Sequence, residues 1–189
     1  MTIQTANQLS GRATGVLFFA GFGALWLLLA LYARQQLSFA AIACVVLGLV
    51  LLVSAGVYLL RLSRRFQRVP DDPAVGRAFA WINAAEWIAV AATAYAFSRW
   101  HLNAYLMSAI TAIVGLHMFP LGKIFHYTAH YRAGAVMLAW AVASVLLVPV
   151  EHLQSVTAIG TGCILWLAAA VNSALAIRDG RRPAAPVAC

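Results

Sequence analysis

The sequence predicts an all-α membrane protein: a six-transmembrane-helix bundle with its N-terminus and C-terminus both cytoplasmic. Three observations carry that expectation. Of the 189 residues, 63% are hydrophobic and only 10% charged, whereas a soluble domain carries roughly a quarter of its residues as Asp, Glu, Lys or Arg. The apolar residues come in long runs separated by short charged punctuation, which is the pattern of helices that cross lipid. The positive charges flank those runs, and they gather far more on one side than on the other.

Cutting at charge clusters and turn residues gives apolar stretches near 13–33, 39–60, 78–98, 103–121, 133–150 and 156–177. Each reaches the roughly 17 to 25 residues that a helix needs to cross a bilayer core of about 30 Å. Exposed backbone amides are costly in lipid, so a run of this length crosses as a helix or within a closed barrel. The absence of period-two alternation excludes the barrel. The first stretch is too long for a signal-peptide core and has no small-residue cleavage site before the next run, so it is expected to stay in the mature protein. On the second, Ala40, Cys44 and Gly48 lie four apart, and on the fourth, Ser108, Thr111, Ala112 and Gly115 form a small stripe. Both read as seams where helices approach closely. The third is rich in alanine, and the sixth carries Asn172 near its end. Cys44, Cys163 and Cys189 are an odd number, and the first two sit inside apolar runs where a free thiol behaves as a small hydrophobe, so no disulfide framework follows.

Short positive segments stay in the cytoplasm. Arg12, Arg61, Arg64, Arg65, Arg68, Arg77, Lys123, Arg132, Arg178, Arg181 and Arg182 fall on one side of the six stretches, against Arg34 and Arg99 on the other. Eleven against two puts both termini inside. The outside loops, 34–38, 99–102 and 151–155, are short enough to force tight antiparallel hairpins. The inside connector 62–77 contains Val69-Pro70-Asp71-Asp72-Pro73, whose prolines and aspartates favour an extended turn.

Glu86 is the acidic residue well inside a stretch, and an intramembrane carboxyl is expensive enough to ask for a function. Asn83 precedes it by three positions and shares its helical face. At 1.5 Å per residue both sit roughly 7 to 12 Å in from the cytoplasmic end. The fourth stretch runs the opposite way, placing His117 about a turn from its cytoplasmic end, and the sixth places Asn172 about a turn and a half from its own. Asn83, Glu86, His117 and Asn172 therefore gather at one depth, where they form a candidate proton or small-ligand site. Two competing readings are structural: Glu86 and His117 satisfying one another in an apolar surrounding, or polar ends snorkelling to the lipid interface.

His126 and His130 lie at i, i+4, a spacing that lets two imidazoles share a metal on one helical face. They are weak metal candidates, because a third protein ligand is needed and aromatic and basic residues at a membrane boundary also anchor a span. No metal and no cofactor is expected. Five scattered histidines cannot supply the clusters of a membrane di-iron enzyme, no His-Glu-x-x-His helix is present, and no predicted span contains an aspartate. A haem between two histidines finds only His117 firmly placed. Nucleic acid is not an expected partner despite the net charge of +8, since the arginines lie beside spans and offer no basic face larger than one loop.

The stretch 86–134, and above all Gly115-Leu116-His117-Met118-Phe119-Pro120-Leu121, resembles a segment of uncharacterised small bacterial multi-pass membrane proteins. In these, a Glu-containing span is followed by a Gly-Leu-His-Phe-x-Pro-Leu-like segment; here Met118 stands where an aromatic is expected. The resemblance implies interest in Glu86 and His117 and brings no activity with it. Twelve arginines against one lysine, with abundant alanine, point to a GC-rich bacterium and so to the inner (plasma) membrane.

Three functional expectations follow. The first is a small binding or transport bundle whose Glu/His layer lies in the cytoplasmic leaflet. The second is a structural or accessory subunit, whose partners are the lipid bilayer and another membrane protein or a homo-oligomeric copy. The third is a membrane enzyme acting on a lipid-like substrate, which lacks a nucleophile or metal signature, so the residues favour a non-enzymatic role.

Overall fold

The computed structural model describes residues 6–66, 70 and 72–180; Arg68, Arg181, Arg182, Cys189 and part of the 69–73 segment lie outside them. The chain is all-helical: α1 (Ala6–Ala33), α2 (Phe39–Ser63), α3 (Pro73–Arg99), a single 3-10 turn (Asn103–Tyr105), α4 (Leu106–Ile124), α5 (Thr128–Leu147) and α6 (Val150–Gly180). All but α3 are long and apolar enough to cross a membrane. The exception has a plain cause: α3 carries ten alanines, which add little hydropathy, together with Arg77, Asn83 and Glu86.

The helices overrun the apolar stretches because charged residues at a span's end do not stop a backbone from completing its hydrogen bonds. α1 starts seven residues earlier than position 13, and α3 starts at Pro73 rather than 78. Asp72 and Pro73 belong to that start rather than to an extended turn: the Asp72 carboxylate accepts from Ala74 N at 2.8 Å, and Pro73 occupies the first helical turn, where its missing N–H costs nothing. α4 continues through Pro120 to Ile124. The last hairpin is tighter than 151–155. Val148 is extended, as a residue before proline prefers, and Glu151 already lies in the first turn of α6.

Three corners share one device. Gln35, His101 and His126 adopt left-handed backbone at φ 53°, 58° and 50°. At each, the next residue's N–H reaches back to a carbonyl of the preceding helix: Gln36 to Leu31 at 2.9 Å, Leu102 to Phe97 at 2.8 Å, and Tyr127 to Gly122 at 3.0 Å. This arrangement satisfies the helix's last carbonyls and reverses the chain, and it usually employs glycine.

α6 is the central post, packed against α1, α2, α4 and α5, while α3 packs chiefly on α4 and touches the 3-10 turn. Successive helices run antiparallel, so α4 and α6 run parallel. Ser108 meets Thr157 at 3.1 Å and Thr111 meets Thr161 at 2.8 Å, in step along both. Trp166 of α6 is wedged between α1 and α2. Its indole N–H donates to Ala20 O at 3.0 Å, and its ring lies against Gly23 and Gly48, where a Cβ would collide with it. Gly48 thus faces the seam, but Ala40 and Cys44 are exposed. The inner face of α2 runs instead through Val45, Gly48, Gly56 and Leu59.

Candidate functional site

The site begins with Glu86. On α3 the half-buried positions recur every three to four residues through Phe79, Ile82, Asn83, Glu86, Val90, Thr93 and Phe97, so the carboxylate lies on the stripe that faces α4. Phe79 touches Phe125 with ring centroids 5.8 Å apart, which sets the antiparallel register. That register brings Glu86 opposite His117. His117 Nδ1 lies 2.6 Å from Glu86 Oε2, and the two side chains are 8% and 15% exposed. The two meet as a short polar contact that lacks the alignment of a hydrogen bond. His117 Nε2 is buried without a hydrogen-bond partner among the described residues.

Asn172 sits on the far side of the layer and does not join that pair. Its Oδ1 accepts from the Tyr127 hydroxyl at 2.8 Å. Asn83 is half-buried one turn from Glu86 on the same face of α3 and does not touch the pair through any hydrogen bond. Of the four residues singled out in the sequence, the fold brings two into contact and leaves two beside them.

His126 and His130 do not share a helix. His126 is the left-handed corner that ends α4, while His130 lies one turn into α5, with the chain reversing between them. His126 is exposed. His130 turns inward among Phe19, Phe125 and Tyr127, at centroid distances of 6.1, 6.3 and 5.3 Å. Among the described residues its Nδ1 is buried without a hydrogen-bond partner. Among the described residues no group of three His, Cys, Asp or Glu is arranged to hold a metal ion.

Beneath this layer lies a clasp. The Arg12 guanidinium binds Asp179 at 3.1 Å and stands over the Tyr127 ring at 5.0 Å from its centroid, joining α1, α6 and the α4–α5 corner. Burial pushes the Tyr127 hydroxyl above its ordinary pKa of 10.0; Arg12 opposes that shift and Asp179 adds to it. Arg12, Tyr127, His130 and Asp179 were not joined to the layer by sequence reasoning. The available signal was the shortness of the α4–α5 corner, which folds residues 127 and 130 back to the depth of 117–124.

The other half of the bundle holds a contrasting polar zone. Ser108 lies between Ser144 at 3.3 Å and Thr157 at 3.1 Å. Ser144, Thr111 and Thr161 each also donate to a carbonyl of their own helix. These hydroxyls are satisfied and hold three helices together, whereas the two imidazoles are not. Among known proteins, no family model, curated sequence or solved structure matches the chain.

Proposed function

We propose that the chain is a six-span protein of a bacterial inner membrane, with both termini cytoplasmic, that exchanges protons at the Glu86–His117 pair as part of a small transport bundle. The 2.6 Å approach of a carboxylate and an imidazole, both largely buried, carries this reading. Neither group is tolerable alone in lipid. Placed together near the cytoplasmic ends of α3 and α4, they form a site that gains or loses one proton without leaving two bare charges.

The length and register of α3 support the sixth crossing. Its 27 residues measure about 40 Å at 1.5 Å per residue, and it lies along α4 from the Phe79–Phe125 contact to the 3-10 turn at the other end. A helix that follows a spanning neighbour end to end shares its membrane depth. The antiparallel sequence of all six then returns the C-terminus to the side of the N-terminus. The stretch 86–134, which resembles a segment of small bacterial multi-pass proteins with a Glu-containing span, contains both members of the pair.

The test is a proton-flux measurement on the full chain in liposomes with a trapped pH dye. After an imposed pH step, Glu86→Gln and His117→Gln are expected to slow the proton response by roughly a hundredfold, the smaller end of what a positioned acid or base contributes. Wild-type rates in both variants would remove the reading.

A further inference from the structure

Of the five helices long and apolar enough to cross a membrane, α2 is the most apolar, with a mean hydropathy of 2.7, and the least buried. It packs chiefly on α1 and α6, with Gly48 against Trp166 and Gly56 against Leu17. Its open side follows the helical repeat through Leu47, Val50, Leu51, Ser54 and Val57, all exposed. The same repeat continues to Arg61, Arg64 and Arg65, also exposed, while Leu62 and Ser63 between them are buried. A tight turn holds this end: Arg65 N–H donates to Leu62 O at 3.1 Å and Phe66 N–H to Ser63 O at 3.1 Å. An apolar ribbon thus ends in three guanidinium groups on one stripe.

Among the described residues no carboxylate answers these arginines. Glu86 meets His117, Asp179 binds Arg12, Asp72 caps α3, and Glu151 opens α6 at its opposite end. The end of α2 itself offers about half a negative charge, against three positive ones. From Arg61 back to Leu51 is about 15 Å at 1.5 Å per residue, one leaflet's share of a hydrocarbon core of about 30 Å.

We propose that this stripe of α2 is a binding site for an anionic phospholipid. The headgroup phosphate lies among Arg61, Arg64 and Arg65, and an acyl chain lies along the ribbon above them. The planar guanidinium fork matches two phosphate oxygens at once. A free phosphate ester would satisfy the arginines and leave the ribbon unused, so the occupant is a lipid of the leaflet at this end, cytoplasmic in the topology proposed above. The site is independent of the Glu86–His117 reading. Lys123 and Arg132 are equally exposed but stand apart, near the end of α4 and the start of α5, and they serve as the comparison.

Native mass spectrometry of the full chain in detergent, titrated with phosphatidylglycerol and with phosphatidylcholine, tests the proposal. The wild type is expected to prefer phosphatidylglycerol. Replacing Arg61, Arg64 and Arg65 together by glutamine is expected to weaken phosphatidylglycerol binding by roughly fivefold for each arginine removed. Replacing Lys123 and Arg132 together by glutamine is expected to leave it unchanged. Equal binding of the two lipids by the wild type, or an equal loss in the Lys123 and Arg132 variant, would overturn the proposal in favour of diffuse surface charge. Displacement of the lipid by an equal concentration of glycerol phosphate would overturn the assignment to lipid. Because removing three arginines can disturb insertion, a second measurement uses the wild type alone, with phosphatidylglycerol carrying a photoreactive acyl chain. Cross-links concentrated in residues 46–58 are expected, and an even spread over the helices, as a photoreactive phosphatidylcholine would give, would overturn the site.

Discussion

Tyr127 shows how much can converge on one side chain. Its backbone N–H closes the end of α4, its hydroxyl binds α6 through Asn172, and its ring carries the Arg12 guanidinium on its face and the His130 ring at its edge. Removing the hydroxyl with Tyr127→Phe is expected to cost about 1 kcal/mol, the net worth of one hydrogen bond, as a lower thermal midpoint in detergent at neutral pH. The pH dependence has a definite sign. The folded pKa lies above the unfolded 10.0, chiefly through burial, so the folded state retains a proton that the unfolded chain has lost. Stability is therefore full below pH 10 and falls as pH rises through the folded value. A scan from pH 8 upward is expected to show a steeper loss in the wild type than in Tyr127→Phe; parallel curves would mean that the hydroxyl is not sealed. Glu86 and Asn172 were legible at this scale because a polar residue inside an apolar run is conspicuous. Tyr127 was not, because an aromatic at a membrane boundary looks like any anchor.

At the scale of elements, the close crossing of α4 and α5 depends on glycine. A Cβ on Gly134 would lie 2.6 Å from the backbone oxygen of Gly115, an atom that cannot swing aside. Gly134→Ala is expected to destabilise by about 1–3 kcal/mol, the usual cost of overpacking. Gly21→Ala, with nothing within 4 Å of the new Cβ, is expected to stay within about 1 kcal/mol of wild type. Thermal midpoints of the two variants, measured side by side, check both. The corners invite the opposite change. His101 and His126 are exposed residues in left-handed backbone, so His101→Gly and His126→Gly are each expected to stabilise by about 0.5–1 kcal/mol. A loss in either variant would mean that its imidazole is held by more than the turn. Hydropathy marked all six helices but not their ends, since a cap such as Asp72 or a corner such as His126 acts through backbone geometry that no apolar count registers. The stripe Ala40–Cys44–Gly48 failed at two positions for a related reason: small residues permit close approach on any face, and only the position of Trp166 selects the face that is used.

For the whole molecule, the decisive question is whether α3 crosses. Six crossings place both termini inside, and five would place them on opposite sides. A fluorescent reporter that matures only in the cytoplasm is expected to light up at either terminus, and a phosphatase that works only outside is expected to be active when inserted at Gln36. An active phosphatase at the C-terminus would mean that α3 lies on the membrane rather than through it. Composition and charge placement by themselves determined that the chain is helical, that it belongs in a membrane and roughly where each helix lies. Those properties depend on the transfer of each segment from water to lipid, which is local and additive along the chain. Only the tertiary structure decided that Glu86 meets His117, that Asn172 turns instead to Tyr127, and that His126 and His130 part company. Contacts between helices depend on rotation and register, and in lipid these are set by small residues, wedged aromatics and the exact residue at which each helix ends.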